Sequence, residues 1–315
     1  MKNFWEALPK PFFALAPLED VTDAAFRSII AEYGKPDVMF TEFTSADGLV
    51  LADENGRRKL QKKLLYSEAE RPIVAQLFTG NPEYMEKAAK LAAELGFDGI
   101  DINMGCPVDE VVRQACGAAL MKDPPRAREI IRVAKTAGLP VSVKTRLGYS
   151  TDELETWLPQ LLAEEPVAIT LHARTRKEMS LVPARWERIA RAVEIRDSLK
   201  SKTLIIGNGD VMDIADARAK VVATKCDGVM LGRAIYGNPW LFLDRKDAPT
   251  QSERIAALRR HLELFDELLT GNTNFAVMKK HFKAYISGWD GAKDLRVRLM
   301  ETETVKDALA LLTES

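Results

Sequence analysis

One cysteine of this chain stands where its side chain could take part in chemistry. The stretch GIDINMGCP (99–107) begins as a buried strand, turns at Gly105 and ends with Cys106 next to a proline. A thiol in that position can be a packing residue, a metal ligand or a reagent. The other two cysteines, Cys116 and Cys226, form no CxxC pair with it, and this odd set favours reduced thiols over a disulfide framework or a zinc site. We therefore predict no metal site and keep Cys106 as a candidate acid or nucleophile.

Eight apolar runs, including the one before Cys106, alternate with segments of helical period. The runs begin at Phe12, Val38, Pro72, Gly99, Pro140, Ala168, Thr203 and Gly228. Eight such units predict an α/β fold in which parallel strands close into a (β/α)8 TIM barrel, and an open doubly wound sheet is the alternative. Reactive groups of such barrels collect at the carboxyl ends of the strands. The residues found there are Pro17, Glu42, Gln76, Asn103, Cys106, Lys144, Arg146, His172, Arg174, Asn208, Asp210, Gly232 and Arg233.

The last two strand ends resemble a phosphate site. The stretches IIGNGD (205–210) and VMLGRAIYGNP (229–239) follow strands seven and eight, where barrels often bind phosphate. Their glycines allow close backbone approach, and Arg233 adds a charge-assisted fork. Taken alone, the two stretches could be ordinary turns, and His172 could be a structural histidine. Lys144, however, is costly to bury without a partner, and a cation near N1 of a flavin stabilises its reduced ring, so the set predicts bound flavin mononucleotide (FMN).

Composition restricts the class of protein. The 315 residues allow one large domain and a small one. Of these residues, 46% are hydrophobic, but no apolar run reaches the about 18 residues of a membrane span. The N-terminal stretch lacks the pattern of a secretory signal, so we expect a cytoplasmic protein. A net charge of −1 means that any binding of nucleic acid must depend on a local basic patch.

Such a patch lies near the C-terminus. Strand signals end after the eighth run, and we predict a barrel domain over residues 1–243 and an all-helical domain over 252–315. Between residues 276 and 300, six bases face only two acids, and Phe282, Tyr285 and Trp289 lie among them. The bases are Lys279, Lys280, Lys283, Lys293, Arg296 and Arg298. The pattern suits backbone phosphates of RNA, and a solvated helix face with core aromatics is the alternative.

Several motifs together resemble the tRNA-dihydrouridine synthase family. They are APLEDVTDAAFR, TEF, AQLFTGNPEYMEKAA, GIDINMGCP, GAALMKDP, PVSVKTRLG, LHARTR, IIGNGD and GVMLGRAIYGNPWLF, in the family's order and spacing, followed by the tail MKKHFKAYISGWDGAKDLRVRL. The resemblance implies an FMN enzyme that takes hydride from NADPH and reduces the C5–C6 bond of particular uridines in tRNA. We expect a monomer.

The resemblance also implies roles for individual residues. Reduced flavin would give hydride from N5 to C6 of the uracil, and the thiol of Cys106 would protonate C5 from the opposite face, since a thiol with a pKa of about 8.5 is mostly protonated at neutral pH. The positions that match flavin contacts are Gln76, Lys144, His172, Asn208, Gly209, Gly232 and Arg233, with Pro17 and Asp210 beside them. Asn103 and Arg146 match the residues that grip the uracil. Lys279, Lys280, Lys283 and Arg296 would bind the RNA backbone.

Three stretches depart from the family's pattern. The usual Met-Ala-Gly of the first loop is replaced by residues 18–20, Leu-Glu-Asp, and a basic residue after the GCP motif is replaced by Asp109 and Glu110. The loop KEMSLVPARW (177–186) lacks, before Trp186, the aromatic residue that the family often carries there to stack on the base. The RNA and the uridine position are therefore open. The alternatives are a dihydropyrimidine- or dihydroorotate-type oxidoreductase for small molecules, a synthase for another RNA, and an RNA-binding protein without chemistry.

Overall fold

A sheet of short parallel strands forms the centre of the computed structural model, which describes residues 3–243, 245 and 247–313. Over these residues the strands are β1 (Phe12–Leu15), β2 (Met39–Phe40), β3 (Thr44–Ser45), β4 (Ile73–Phe78), β5 (Gly99–Met104), β6 (Val141–Arg146), β7 (Ala168–His172), β8 (Leu204–Asn208) and β9 (Gly228–Leu231). They pair in the order β1-β9-β8-β7-β6-β5-β4-β2, and β3 pairs with the end of β4. Each of the eight predicted runs contains a strand.

Backbone hydrogen bonds join the two ends of this sheet. The Leu15 N–H donates to Val38 O over 3.1 Å, and the Asp37 N–H donates to Phe13 O over 2.9 Å. These bonds connect β1 to the segment that enters β2, so the sheet returns to its first strand. The predicted (β/α)8 barrel is confirmed, and the open doubly wound sheet is wrong.

Side chains alternate between the two faces of the barrel wall. In β1, Phe12 and Ala14 pack in a cluster inside the barrel, whereas Phe13 and Leu15 pack in the layer between strands and helices. In β4, Val74 belongs to the inner cluster. Because successive side chains of a strand point to opposite faces, the residue two positions after an inward apolar residue also points inward. This alternation sends polar residues near the strand ends into the barrel mouth.

Helices cover the outside of the barrel. They are α1 (Ala24–Tyr33), α2 (Ala46–Leu51), α3 (Glu54–Lys62), α4 (Pro82–Glu94), α5 (Asp109–Arg113), α6 (Pro124–Ala134), α7 (Leu154–Leu162), α8 (Trp186–Ser198) and α9 (Ile214–Thr224). Local sequence begins several of them: the Asp23 carboxylate accepts the Phe26 N–H over 2.9 Å at the start of α1, and Asn81 with Pro82 begins α4.

The chain after β9 is helical, as predicted. Two short 3₁₀ turns lead to α10 (Gln251–Leu269), α11 (Ala276–Tyr285), α12 (Ala292–Glu301) and α13 (Val305–Thr313). Helix α10 packs directly on α1, where the rings of His261 and Phe26 stack with centroids 5.1 Å apart. Arg260 also pairs with Glu32 over 2.7 Å. The division into domains 1–243 and 252–315 stays a prediction. Over the described residues, no helix has the length and apolar character that crossing a membrane requires.

Candidate active site at the barrel mouth

A cavity of about 820 Å³ opens at the carboxyl ends of the strands. Its size lies within the range of cavities that enclose a cofactor or small ligand. The cavity is lined by every residue that the sequence analysis expects to contact the flavin, to contact the uracil or to donate the proton. They are Pro17, Gln76, Asn103, Cys106, Lys144, Arg146, His172, Asn208, Gly209, Asp210, Gly232 and Arg233. Sequence positions far apart therefore meet in one place, because each follows the inward face of its strand.

A chain of hydrogen bonds runs across the cavity floor to the cysteine loop. Gln76 Nε2 donates to Asp101 Oδ2 over 2.7 Å, and Asn103 Nδ2 donates to Gln76 Oε1 over 3.1 Å. Asn103 Oδ1 then accepts the backbone N–H groups of Gly105 at 3.1 Å and Cys106 at 2.9 Å. A carboxylate accepts only, and the two N–H groups donate only, so both ends of the chain force the same orientation on both amides.

Asp101 at the start of this chain was missed by the sequence reasoning. It is fully buried and also accepts from Ser142 Oγ over 2.6 Å. Burial raises its pKa to about 6, while Ser142, Gln76 and Lys144 act to lower it. A signal was present, because Asp101 precedes Asn103 by two residues in an apolar run and must share its inward face. The side chain supports other polar groups of the site from below.

Lys144 reaches the cavity from the middle of the barrel wall. Its Nζ donates to Asn208 Oδ1 over a long 3.4 Å, and Asn208 Nδ2 donates in turn to Met230 O over 2.8 Å. Burial, followed by the charge of Arg146, lowers the pKa of Lys144 to about 8. The ammonium group can make three hydrogen bonds, so it keeps donor capacity for a further acceptor in the cavity.

Backbone carbonyls hold Arg146 at the end of the same strand, β6. Its Nε donates to Gly105 O over 2.8 Å, and its Nη1 donates to Met179 O over 2.9 Å and to Thr175 O over 3.2 Å. Burial lowers its pKa to about 10, which leaves the guanidinium charged at neutral pH. The side chain therefore presents a fixed positive group beside the cysteine loop.

The Cys106 thiol lies between these cations and a small apolar cluster. Cys106 is 7% exposed and packs with Val111 and Cys116. Burial raises the pKa of the thiol above its ordinary value, against the lowering effects of the Val108 N–H and the nearby cations. Cys106 is therefore a neutral thiol at neutral pH. Phe43, which the sequence reasoning did not single out, adds an aromatic ring to the cavity wall next to this cluster.

Charged residues surround the glycine-rich end of the cavity. Asp210 accepts from Arg233 Nη2 over 2.8 Å, pairs with Arg174 and accepts the Ala184 N–H over 2.9 Å. Burial acts to raise the Asp210 pKa, but these bonds outweigh it and the net shift is downward. Gly209 has a φ of +123°, and a Cβ there would lie 2.9 Å from the Ala184 Cβ, so this turn requires glycine.

His172 is neutral at this end of the site. Burial, followed by the charges of Arg146 and Lys144, lowers its pKa far below the ordinary range. Its Nε2 lies 3.2 Å from Arg174 Nη1. Because a guanidinium can only donate, Nε2 accepts and the ring proton is on Nδ1. Arg174 was recognised as a strand-end residue in the sequence but was assigned no role; here it links His172 to Asp210.

The predicted RNA-binding bases lie outside the cavity. Lys280 Nζ pairs with Asp20 Oδ2 over 3.1 Å, which brings α11 to the loop after β1. Arg296 Nη1 donates to Ile286 O over 2.9 Å at the end of α11. Phe282 and Tyr285 are completely buried, so for these two aromatics the alternative of core residues holds, and RNA binding by the bases stays a prediction. They are core residues, because the apolar face of α11 packs inward.

Three of the four acids that depart from the family's pattern, Glu19, Asp20 and Asp109, have basic partners. Glu19, at the cavity rim, pairs with Lys63. Asp109, after the GCP motif, pairs with Arg176. The loop that lacks the expected aromatic is held by the bonds of Arg146 to Thr175 and Met179 described above. These contacts make the departures part of the local structure.

Solved structures with a similar architecture support the fold of this chain. Histamine dehydrogenase from Rhizobium sp. 4-9 superposes with a TM-score of 0.55 and 15% sequence identity, covering 80% of this chain and 48% of that chain. A variant of NCR from Zymomonas mobilis gives a TM-score of 0.51 and 15% identity, covering 80% and 94%. At this identity the similarity supports the barrel alone.

Sequence comparison identifies the family. The model of the dihydrouridine synthase (Dus) family matches residues 14–315. A "Probable tRNA-dihydrouridine synthase" of Staphylococcus aureus (strain COL) is 41% identical over 315 residues, covering 99% of this chain and 95% of the relative. A "Probable tRNA-dihydrouridine synthase 2" of Bacillus subtilis (strain 168) is also 41% identical, covering 99% and 96%. The chain belongs to the dihydrouridine synthase family of flavin oxidoreductases, and the predicted resemblance is confirmed.

Proposed function

We propose that this protein reduces the C5–C6 double bond of uridines in tRNA to 5,6-dihydrouridine, with FMN as its flavin and NADPH as reductant. The observation that carries the proposal is the convergence of a neutral thiol, two cations and two oriented amides in one cavity of about 820 Å³. The names of the relatives from S. aureus and B. subtilis give tRNA as the substrate of those proteins. Family membership supports carrying that substrate over to this chain.

The glycine-rich end of the cavity fits the phosphate of FMN. A Cβ at Gly232 would project into free cavity space, where the nearest atom is Ala16 Cβ at 3.7 Å, so glycine keeps room for a group against the backbone. Arg174 and Arg233 carry two positive charges there against the one carboxylate of Asp210. The net positive charge suits a dianionic phosphate.

Lys144 fits the ring of the flavin. Its ammonium group has one long hydrogen bond to Asn208 and donor capacity directed at the cavity. When bound, FMN that NADPH has reduced supplies the hydride for C6 of the uracil. The positive charge of Lys144 would stabilise the negative charge that a reduced flavin carries, and Asn208 would hold the lysine in place.

Cys106 would provide the proton for C5. Its thiol is neutral at neutral pH because burial raises its pKa, so it holds the proton until the substrate arrives. Arg146 and Lys144 would stabilise the thiolate that remains after transfer, since a nearby positive charge favours the ionised form. A general acid of this kind contributes typically about 10²–10⁴-fold to a rate.

Asn103 and Arg146 would hold the uracil next to this thiol. Arg146 is fixed by three backbone carbonyls, and Asn103 is fixed by Gln76 and the cysteine loop. A uracil edge offers carbonyl acceptors, to which the remaining N–H groups of Asn103 Nδ2 and Arg146 can donate. The base must leave its stack to enter the barrel mouth, and Lys279, Lys280, Lys283 and Arg296 would hold the RNA backbone while it does.

The test separates the two half-reactions. Cys106→Ala should retain FMN and its reduction by NADPH, but oxidation of the reduced flavin by unmodified tRNA transcripts should slow by about 10²-fold or more. Cys116→Ala is the matched control, because Cys116 packs in the same cluster and does not line the cavity. We expect the control to reoxidise at the wild-type rate in anaerobic single-turnover mixing.

Two results would count against the proposal. Wild-type reoxidation by the Cys106→Ala enzyme would remove the acid role. Equally fast reoxidation of the wild-type enzyme by free uracil or uridine, with no preference for tRNA, would favour the small-molecule oxidoreductase instead.

A further inference from the structure

Helix α3 is an exposed basic helix beside the barrel mouth. None of its residues is buried, and Leu60 anchors it by packing against Gly48, where its Cδ1 occupies the space that a Cβ would need. Residues 54–63 contain five bases and one acid, Glu54. Most helices in proteins owe their stability to a packed apolar face. Packing therefore does not explain why α3 is so rich in basic residues.

A second cavity, of about 420 Å³, separates α3 from the turn between α10 and α11. Lys59, Lys62 and Lys63 line one side of it, Asn272 and Asn274 line the other, and the acids Asp20, Asp23 and Glu42 also line it. Lys63 also pairs with Glu19, which lines the active-site cavity. The two cavities are thus neighbours, and α3 stands on the same end of the barrel as Cys106.

Part of the charge of α3 has no use within the fold. Arg58 pairs with Glu54 and Lys63 with Glu19. Among residues 3–243, 245 and 247–313, Lys59 and Lys62 have no carboxylate partner, and at a spacing of three residues they share one face of the helix. The acids that line the cavity are engaged: Asp20 pairs with Lys280, Asp23 accepts the Phe26 N–H, and Glu42 accepts the Asp20 N–H.

The opposite wall of this second cavity continues into the basic helix α11. The turn that carries Asn272 and Asn274 leads directly to Lys279 and Lys283. Two basic elements therefore flank one groove that ends at the rim of the active site. Backbone phosphates are the ligand that suits two rows of bases with amide side chains between them, because such contacts need charge and hydrogen-bond donors but no sequence readout.

We propose that α3 is a second phosphate-binding element, and that the RNA backbone passes between α3 and α11 as the target base enters the barrel. This inference rests on the proposed function, because it assigns a path to the same substrate. Lys59 and Lys62 contribute charge from the barrel side, and Lys279 and Lys283 contribute it from the helical side.

The experiment measures binding of the holoenzyme to a pool of unmodified tRNA transcripts over a series of KCl concentrations. The variant K59E/K62E should raise Kd by about tenfold or more and make the slope of log K against log salt shallower by about 1.4, at about 0.7 for each single-strand phosphate contact. The neutral variant K59Q/K62Q should fall between this and wild type. Flavin content and reduction by NADPH should be unchanged.

K200E/K202E is the matched control. Lys200 and Lys202 precede β8, so they lie at the amino end of the strands, and the same charge change there should leave Kd and salt slope at wild-type values. Unchanged Kd and slope in a folded, flavin-loaded K59E/K62E protein would overturn the proposal, as would an equal loss in K200E/K202E.

Formation of dihydrouridine by the wild-type enzyme on the same RNA pool distinguishes the two possible failures. If the wild-type enzyme forms dihydrouridine and K59E/K62E binds normally, the role of α3 alone is wrong. If the wild-type enzyme forms none, the proposed function is wrong and the path assigned to its substrate fails with it.

Discussion

Replacing Asp101 should disturb the Cys106 thiol from a distance, through two intervening amides. Asp101 accepts from Gln76, which accepts from Asn103, which accepts from the Cys106 backbone. Asp101→Ala removes the acceptor that orients the Gln76 amide, so the amide can turn and the next bond in the chain is lost. Asp101→Asn keeps an acceptor for Gln76, and its new N–H₂ group can donate to the hydroxyl of Ser142.

The magnitude follows from the groups that lose a partner. In Asp101→Ala the Ser142 hydroxyl can turn to Ile100 O, which lies 3.4 Å away, but Gln76 Nε2 loses its acceptor in a fully buried position. A buried donor without a partner costs about 1–3 kcal/mol. We expect the free energy of unfolding to fall by about 2 kcal/mol. If the loss of order at the cysteine loop raises the activation free energy of proton transfer from Cys106 by about 1.4 kcal/mol, reoxidation by tRNA slows about tenfold.

The assay compares urea unfolding with single-turnover reoxidation of pre-reduced enzyme. Thr203→Val is the stability control, because it removes the hydrogen bond to Pro166 O from a buried hydroxyl at the far end of β8. We expect Thr203→Val to lose stability but to reoxidise normally, Asp101→Ala to lose both, and Asp101→Asn to recover most of the rate. If Asp101→Asn slows reoxidation as much as Asp101→Ala, the charge next to Lys144 matters and the amide chain does not.

Two further predictions concern the cofactor. Arg233→Ala should raise the Kd of FMN by about tenfold, from loss of a charge-assisted bond to phosphate, and should leave riboflavin binding unchanged in calorimetric titration of the apoprotein; equal weakening of both ligands would place the phosphate elsewhere. Since the Lys144 pKa is lowered to about 8, its charge is present below that pH and lost above it. FMN affinity of the apoprotein should therefore fall as the pH rises from 7 to 9, whereas Lys144→Met should bind more weakly with no such fall.

The barrel and the residues that line its mouth could be predicted because one rule governs both. Alternation along a strand places Val74 in the inner apolar cluster and, two residues later, Gln76 at the mouth. The same rule applies to Lys144 and Asn208 on their strands. Residues that satisfy a local periodicity can be assigned to a face without knowledge of their neighbours.

The partners of these residues could not be predicted, because they depend on contacts between distant parts of the chain. The pair of Lys280 with Asp20 joins residues 260 positions apart, and no local pattern marks it. Phe282 and Tyr285 could not be assigned to surface or core for a related reason: aromatic residues among bases suit an RNA surface and a helix core equally well, and only the packing of α11 decides between them. Asp101 had a local signal, but its meaning depends on Gln76 from the neighbouring strand.

Contacts between distant parts of the chain explain how the barrel mouth tolerates Glu19 and Asp20, two acids that depart from the family's pattern. An unpaired acid at the mouth would repel both a flavin phosphate and an RNA backbone, yet Glu19 and Asp20 pair with Lys63 of the α3 segment and Lys280 of α11. Each pair connects the first loop of the barrel to one of the two basic elements that flank the second cavity. The acids therefore position Lys63 and Lys280 at the expense of two positive charges. Among the described residues Lys59 and Lys62 have no carboxylate partner, so their reversal should weaken RNA binding.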